Sequence, residues 1–414
     1  FMGMPIAYAL MAAAFIFICT LRGPGGAFNL LGKTWFTTVA SYNWSPLMFF
    51  LLMGYLCFYS QFGQDLFRCF RAWMGHARGG LAHGSVAACT AFGAVVGDNV
   101  ACNVAMTTIA LPEMRKARYD DRLALGTLSC SGTIGALIPP STTFILYGVL
   151  AEQSIGDLFI AGIIPGIVCM ICFMLAVWAL VFRRPELAPR LPKEPLAVRL
   201  ASLRAAFPII ALFVLVIGGI YAGVFTATEG GGIGCATCLL LALALRRLTL
   251  KNFLTALDSS ARFISMCFAL ILAGDLFGFF MTMSRIPMVF ANSVAGLDMP
   301  PMVILWVIIF SLCFLGCFIP AMPLLLVCVP IFVPIAHVYD WDLIWFGVIM
   351  ALMMNMAGIT PPFGINLFVM KGLADVPLSV MYRSSVPFVI ALAISILVVL
   401  AFPSTATWLP AALR

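Results

Sequence analysis

Ser131-Gly132-Thr133-Ile134-Gly135-Ala136-Leu137-Ile138-Pro139-Pro140-Ser141-Thr142-Thr143 lies inside an apolar stretch of membrane-crossing size. Paired prolines remove two backbone donors and break a helix. Flanking glycines let another backbone, or an ion, come close. A second stretch has the same parts: Asn355-Met356-Ala357-Gly358-Ile359-Thr360-Pro361-Pro362-Phe363-Gly364-Ile365-Asn366. Two broken helices are therefore expected. Their freed carbonyls and hydroxyls suit a hard cation such as sodium.

Composition sets the class. Of 414 residues, 63% are hydrophobic and 9% charged, where a soluble domain carries about 25% charged residues. A span needs about 20 mostly apolar residues, and the pattern allows roughly ten full or partial passages. An ordinary globular enzyme is excluded. The net charge of +7 sits in short clusters between apolar segments, as in cytoplasmic loops. With no Cys/His spacing set and no basic aromatic domain, nucleic-acid binding is excluded as well. The cysteines at 169 and 172, and at 235 and 238, read as membrane packing rather than metal or redox chemistry. His76, His83 and His337 share no face, so no metal site is expected from them.

Basic residues give a topology. Clusters at 68–78, 115–122, 183–204, 246–262 and 371–383 hold 19 of the 23 Lys and Arg, and the bias toward one side assigns these loops to the cytoplasm. Arg22, Lys33, Arg285 and Arg414 fall outside. Residues 81–112 then lie between two cytoplasmic loops yet are too short for two crossings. A re-entrant hairpin turning near Gly97-Asp98-Asn99 follows. Residues 301–334, between Arg285 with Asp298 and the group His337, Asp340, Asp342, form a second hairpin entering from outside. Pro5–Thr20 reads as a membrane helix and not a signal peptide. The chain begins at Phe1 without an initiator Met, so a few preceding residues are expected.

The halves also match. Leu111-Pro112 with Val333-Pro334, Asp120 with Asp342, Pro139-Pro140 with Pro361-Pro362, and Pro165 with Pro387 are each 222 residues apart; Gly54 and Gly274 are 220 apart. The expected organisation is an all-α polytopic membrane protein with two inverted repeats. Residues 1–45 form an N-terminal membrane helix and outer loop, and 46–182 the first repeat. A cytoplasmic loop with linking helices takes 183–263, the second repeat 264–402, and a tail 403–414. Secondary transporters bind their solute at the midplane of such repeats.

Asp98 stands at the first tip, Gly97-Asp98-Asn99-Val100-Ala101-Cys102-Asn103. A lone carboxylate at that depth costs at least about 2.5 kcal/mol, so it is paired, protonated or ion-bound. A helix-capping role is the plainer reading. The second tip, Gly316 to Pro323, carries no charge. Asp275 has two readings: pairing with Arg285 at a frayed helix end, or lining the transport path. Thr226-Ala227-Thr228-Glu229 reads as a helix start at the outer surface. With no nucleophile–base set, no phosphate loop and no ATP-binding domain, the energy source is an ion gradient or the solute's own gradient.

Several runs resemble a known family. They are Leu111-Pro112-Glu113-Met114, Tyr119-Asp120, Arg122-Leu123-Ala124, Ile138-Pro139-Pro140-Ser141, Tyr147-Gly148, Ser154-Ile155-Gly156 and Ala161-Gly162-Ile163-Ile164-Pro165-Gly166. They look like the large membrane (DctM-type) subunit of tripartite ATP-independent periplasmic (TRAP) transporters. Thr360-Pro361-Pro362-x-Gly364-x-Asn366 and Thr226-x-Thr228-Glu229 resemble its other signatures, and Phe1–Leu10 its start. The resemblance covers essentially the whole chain.

It implies the ion-transporter superfamily fold, an elevator-type transport domain and uptake of a small carboxylate or sulfonate. It implies sodium coupling with no further cofactor, a small (DctQ-type) membrane subunit, and a periplasmic binding protein. The setting is the bacterial inner membrane, with the N-terminus cytoplasmic. One sodium site would use Gly97, Asp98, Asn99, Ser131, Gly132, Gly135 and Pro139. The other would use Gly316, Ile319, Pro320, Gly358, Thr360 and Pro361. The substrate would lie between the tips, against Asp98, Asn99, Asn103, Ser141, Thr142, Gly364 and Asn366.

The chain departs from the family pattern at four points. Asp98 and Asn99 replace small hydroxyl residues, an acid near Pro320 is missing, Ala227 replaces a proline, and Asp275 is unexpected. Asp98 and Asp275 keep open an alternative, a proton-coupled carrier or antiporter of the same superfamily.

Overall fold

The structure, a computed structural model, describes residues 3–296 and 299–413. Phe1, Asp298 and Arg414, used above as landmarks, lie outside the described residues. In chain order the helices are α1 (Ile6–Val39), α2 (Ser45–Tyr59), α3 (Phe62–Met74), α4 (Gly80–Val96), α5 (Asn99–Lys116), α6 (Asp121–Ser131), α7 (Thr142–Leu150), α8 (Ile155–Arg183) and α9 (Leu196–Tyr221). They continue as α10 (Ala227–Ala244), α11 (Leu250–Ser284), α12 (Ile286–Ala295), α13 (Pro301–Gly316), α14 (Ala321–Val338), α15 (Leu343–Ile359), α16 (Ile365–Ala374), α17 (Leu378–Ala401) and α18 (Ser404–Leu413).

This is an all-helical, multi-pass membrane protein. Seven helices among the described residues are long and apolar enough to cross a bilayer, and the bent pair α2–α3 makes up to eight. Exposed Trp178, Phe182, Phe207, Val214 and Phe310 belong on lipid, since they would be costly in water. By contrast, α15 is buried on every side from Trp345 to Ile359, as an all-round apolar helix must be.

The first helix is not one rod. The rings of Phe15 and Phe28 meet edge to face at 5.0 Å, although 13 residues of straight helix would separate them by about 20 Å. The chain reverses at Gly23 (φ 72°, ψ 165°), and Pro24 opens the returning arm. Ala7 packs with Leu270 and Phe17 stacks on Phe280, so the first arm runs along α11 in the same direction. The returning arm brings Thr38 back to Asp275. The sequence reading put an outer loop after the first helix. It is helix to Val39, because residues 27–39 are mostly apolar, with Asn29, Lys33 and three threonines as the polar exceptions, and resume the helix once past Gly23-Pro24.

Two further boundaries differ from expectation. Pro112 and Pro334 do not end their helices: α5 runs on to Lys116 and α14 to Val338. A proline forfeits one backbone bond, and packing carries the helix through. The expected tail folds as α18, which packs on α8 and buries Ala406 and Pro410.

Helices α5 and α14 start and end 222 residues apart, as Asn99 with Ala321 and Lys116 with Val338. Between α6 and α7 the chain passes through a short 3-10 turn, Gly132–Ala136, and then residues 137–141. Between α15 and α16 it passes through residues 360–364. Both Pro-Pro pairs lie in these interruptions. Thr226 and Glu229 form a reciprocal capping box at the start of α10.

Candidate functional site

The first tip needs only two residues. Gly97 (φ 70°) ends α4, its N–H donating to the Gly93 carbonyl at 2.8 Å. Asp98 is extended, and its Oδ1 accepts from Ala101 N at 2.7 Å, capping α5. The tip is stapled to the first interruption: the Gly97 carbonyl accepts from both the backbone N–H and the hydroxyl of Thr142, each at 3.0 Å. A Cβ on Gly97 would sit 2.5 Å from the Pro140 carbonyl oxygen, so only glycine fits.

Behind the tip, polar side chains are buried without partners. Among the described residues, no partner lies within hydrogen-bond reach of Ser131 Oγ or of either amide atom of Asn103. Asn103 lies directly over Gly132, where a Cβ would come within 1.9 Å of its Oδ1. Leaving such groups unpaired costs about 1–3 kcal/mol each. Two of these atoms are oxygens, Ser131 Oγ and Asn103 Oδ1, and beside the bare backbone of Gly132 they suit a hard cation. Gly135 packs instead against Gly93, backbone on backbone.

The second tip joins α13 to α14 through residues 317–320. Gly316 packs on Ala357 of α15, and the Ile319 N–H donates to the Leu315 carbonyl at 2.9 Å. Thr360 donates its hydroxyl to the Met356 carbonyl at 2.6 Å. Beyond the interruption that holds Pro361, Asn366 is 1% exposed, and neither of its amide atoms has a partner among the described residues. Gly358 lies beside it.

A cavity of about 290 Å³ opens between the tips. Its wall takes Asp98 and Asn99 from the first tip and the start of α5, Thr142 and Thr143 from α7, Pro320 and Ala321 from the second tip and the start of α14, and Gly358 of α15 and Asn366 of α16 from either side of the second interruption. The rest is apolar, including Met322, Met354 and Phe263. Asn99 Nδ2 donates to Asn355 Oδ1 at 3.0 Å, tying the first tip to α15.

A family profile described as "Tripartite ATP-independent periplasmic transporter, DctM component" matches residues 1–405. This chain belongs to the DctM family. It is a transporter permease and not an enzyme. The C4-dicarboxylate TRAP transporter large permease protein DctM of Pseudomonas aeruginosa is 33% identical over 91% of this chain and 88% of its own length. The ectoine/5-hydroxyectoine TRAP transporter large permease protein UehC of Ruegeria pomeroyi is 31% identical over 99% and 95%. The crystal structure of the YdaH transporter of Alcanivorax borkumensis superposes with a TM-score of 0.63 at 12% identity, over 96% of each chain. That likeness speaks for the fold alone.

Of the residues expected to touch substrate in this DctM-family chain, Asp98, Asn99, Thr142 and Asn366 line the cavity. Asn103, Ser141 and Gly364 do not. Asn103 faces Gly132. Ser141 caps α7, accepting from Phe144 N at 3.2 Å. Gly364 forms the left-handed turn before α16. Thr143, Met322, Met354 and the segments 5–7 and 263–270 were not anticipated as wall residues. Thr143 adjoins a named residue, but the other segments carry no polar or glycine signal.

Asp275 is off the cavity wall. Its carboxylate accepts from the Thr38 hydroxyl at 2.5 Å, not from Arg285, which caps the end of α11 with φ 56°. Helix rotation explains the difference: residue 275 faces the returning arm of α1, nine residues before the end of α11.

The site has an ordered charge pattern without basic side chains. Four helices, α5, α7, α14 and α16, begin at the cavity, and their N-termini carry partial positive charge. Helices α4, α13 and α15 end in the same region. Their C-terminal carbonyls carry partial negative charge and attract cations.

Proposed function

We propose that this DctM-family permease imports a small organic anion, a carboxylate or sulfonate, driven by sodium. Residues 46–182 and 264–402 are inverted repeats of the ion-transporter superfamily type. Residues 81–112 and 301–334 are their re-entrant hairpins, and solute moves by an elevator displacement of the tips and broken helices. A periplasmic binding protein delivers the solute, and a small membrane subunit completes the scaffold in the bacterial inner membrane. The N-terminus and the basic loops face the cytoplasm. Coupling to protons through Asp98 is the competing reading; the Asp275–Thr38 bond, away from the cavity, weighs against Asp275 as a coupling group.

One observation carries this reading: the cavity sits where helix N-termini meet, with unpartnered buried oxygens of Asn99 and Asn366 among its wall residues and those of Asn103 and Ser131 behind the first tip. Helix N-termini favour anions by up to about 2 kcal/mol each when partly buried. Two of them offset the roughly 2.5–3.5 kcal/mol that a carboxylate costs at bilayer depth on insertion scales. The recess of Gly97, Ser131 and Gly132 takes one sodium, and that of Gly316, Gly358 and Thr360 the other.

The test is thermal unfolding of the purified protein in sodium against potassium at equal ionic strength and several pH values. An ion binding only the folded form at a hundred times its dissociation constant adds about 2.7 kcal/mol. A sodium-specific rise in midpoint is expected. An equal midpoint in both salts, with a strong pH effect, would replace sodium by protons.

A further inference from the structure

The four helix starts at the cavity are not equivalent. Those from the first half of the chain are closed by their own side chains: Asp98 caps α5 and Ser141 caps α7. Those from the second half, α14 and α16, have no side-chain cap. Beside them stands Asn366, 1% exposed, lining the cavity, with both amide atoms unpartnered among the described residues. Two open N-termini and an unsatisfied amide form a receptor for one carboxylate or sulfonate.

The first-half wall has the opposite character. Asp98 contributes a half-buried carboxylate. Among the described residues, no Lys, Arg or His lines the cavity to balance it. A dicarboxylate would bring two negative charges to a wall that already holds one and offers a single anion receptor. A solute with a carboxylate at one end and a cationic nitrogen at the other satisfies both. The volume, about 290 Å³, is at the lower edge of the roughly 300–1,000 Å³ of ligand pockets, so the solute is small.

We propose that the transported solute is a small zwitterion, its carboxylate held by the α14 and α16 N-termini with Asn366 and its cationic nitrogen by Asp98. This rests on the importer reading above, keeps its carboxylate, and replaces a net anion by one whose charge is balanced within the solute. Asp98 is then a specificity residue as well as a cap. One carboxylate serves both roles, because Asp98 caps α5 through its Oδ1 while still lining the cavity. The ectoine permease UehC and the C4-dicarboxylate permease DctM are almost equally similar to this chain. Overall identity therefore does not decide between the two classes, and the charge of the wall does.

The experiment uses four-carbon probes that differ only at one end: 4-aminobutyrate, butyrate and succinate. Each is titrated against the purified full chain in saturating sodium, with thermal midpoint and equilibrium binding as readouts. The wild-type protein should prefer 4-aminobutyrate over both others by at least about tenfold, as expected for a lost or reversed charge contact at low dielectric. Asp98→Asn keeps a good cap, and in it that preference should collapse. Succinate binding best to the wild type would overturn the proposal. So would a ranking unchanged in Asp98→Asn, or no zwitterion effect while sodium still stabilises. Absence of a sodium response in the wild type would instead sink the sodium-driven reading, whatever the ranking of the three probes. Should Asp98→Asn not fold, the wild-type ranking decides alone.

Discussion

Asn99 and Asn355 are joined by a 3.0 Å hydrogen bond, the Nδ2 of the first tip donating to the Oδ1 of α15. Residue 355 is fully buried, and the bond leaves Asn99 Oδ1 and Asn355 Nδ2 unpartnered among the described residues. This contact couples the halves of the chain across the cavity. Asn99→Ala strands the whole Asn355 amide and should cost about 1–3 kcal/mol. The double variant with Asn355→Ala should recover part of that loss. A double-mutant cycle by thermal unfolding should give a coupling of at least about 0.5 kcal/mol. Strict additivity would mean that the two amides act separately.

At Gly132 the contact is steric. A Cβ there would come within 1.9 Å of Asn103 Oδ1, so Gly132→Ala must displace Asn103 and should destabilise by about 1–3 kcal/mol. Adding Asn103→Ala should restore the stability by removing the clash. It should not restore the sodium-specific shift in midpoint if Asn103 and Ser131 shape the ion recess. Full recovery of both would show that the recess holds no ion.

Gly97 is a sharper case, because strain and crowding act together. Its φ of 70° favours glycine, and its missing Cβ faces the Pro140 carbonyl oxygen at 2.5 Å. Ala at position 97 pays about 1–2 kcal/mol for the left-handed backbone alone, and the tip must lift off Thr142. Gly372 is the control: it has no positive φ and nothing within 4 Å of a built Cβ. Gly372→Ala should be neutral or slightly stabilising. Comparable losses at both positions in a melt would mean that the tip is not docked on α7.

The Asp275–Thr38 bond separates a structural acid from a coupling acid. Asp275→Asn keeps an acceptor for the Thr38 hydroxyl, so stability should stay within about 0.5 kcal/mol and uptake should continue. Asp275→Leu removes the acceptor and should cost about 1–3 kcal/mol. Abolished uptake in the well-folded Asn variant would return Asp275 to the coupling mechanism.

What was legible in the sequence depended on the range of the interactions. Membrane class, family and the Pro-Pro interruptions are local: apolar runs, glycines and proline pairs impose them residue by residue. Asp98 as an α5 cap was also local, a carboxylate three residues before the N–H it accepts from. The wall contributed by residues 5–7 and 263–270 was not, since those residues meet only through packing of distant helices. The partner of Asp275 was hidden for the same reason: Thr38 is 237 residues away. Pro112 and Pro334 misled because proline punctuates an isolated helix more strongly than a packed one. The returning arm of α1 was lost because Gly23-Pro24 signals a break without saying that the chain turns straight back.

That reversal can be tested directly. Phe15 and Phe28 touch at 5.0 Å between ring centroids, while a straight helix would hold them about 20 Å apart. Phe15→Cys with Phe28→Cys places two thiols across the hairpin. All 14 native cysteines are free and most are buried, so brief treatment with a short bis-maleimide in membranes should join 15 to 28 ahead of other pairs. Mass spectrometry of the digest should find one linked peptide pair, absent from each single variant. A straight helix gives only singly modified peptides. In that case Thr38 would be carried away from Asp275, and the structural role argued for that acid would fall with it.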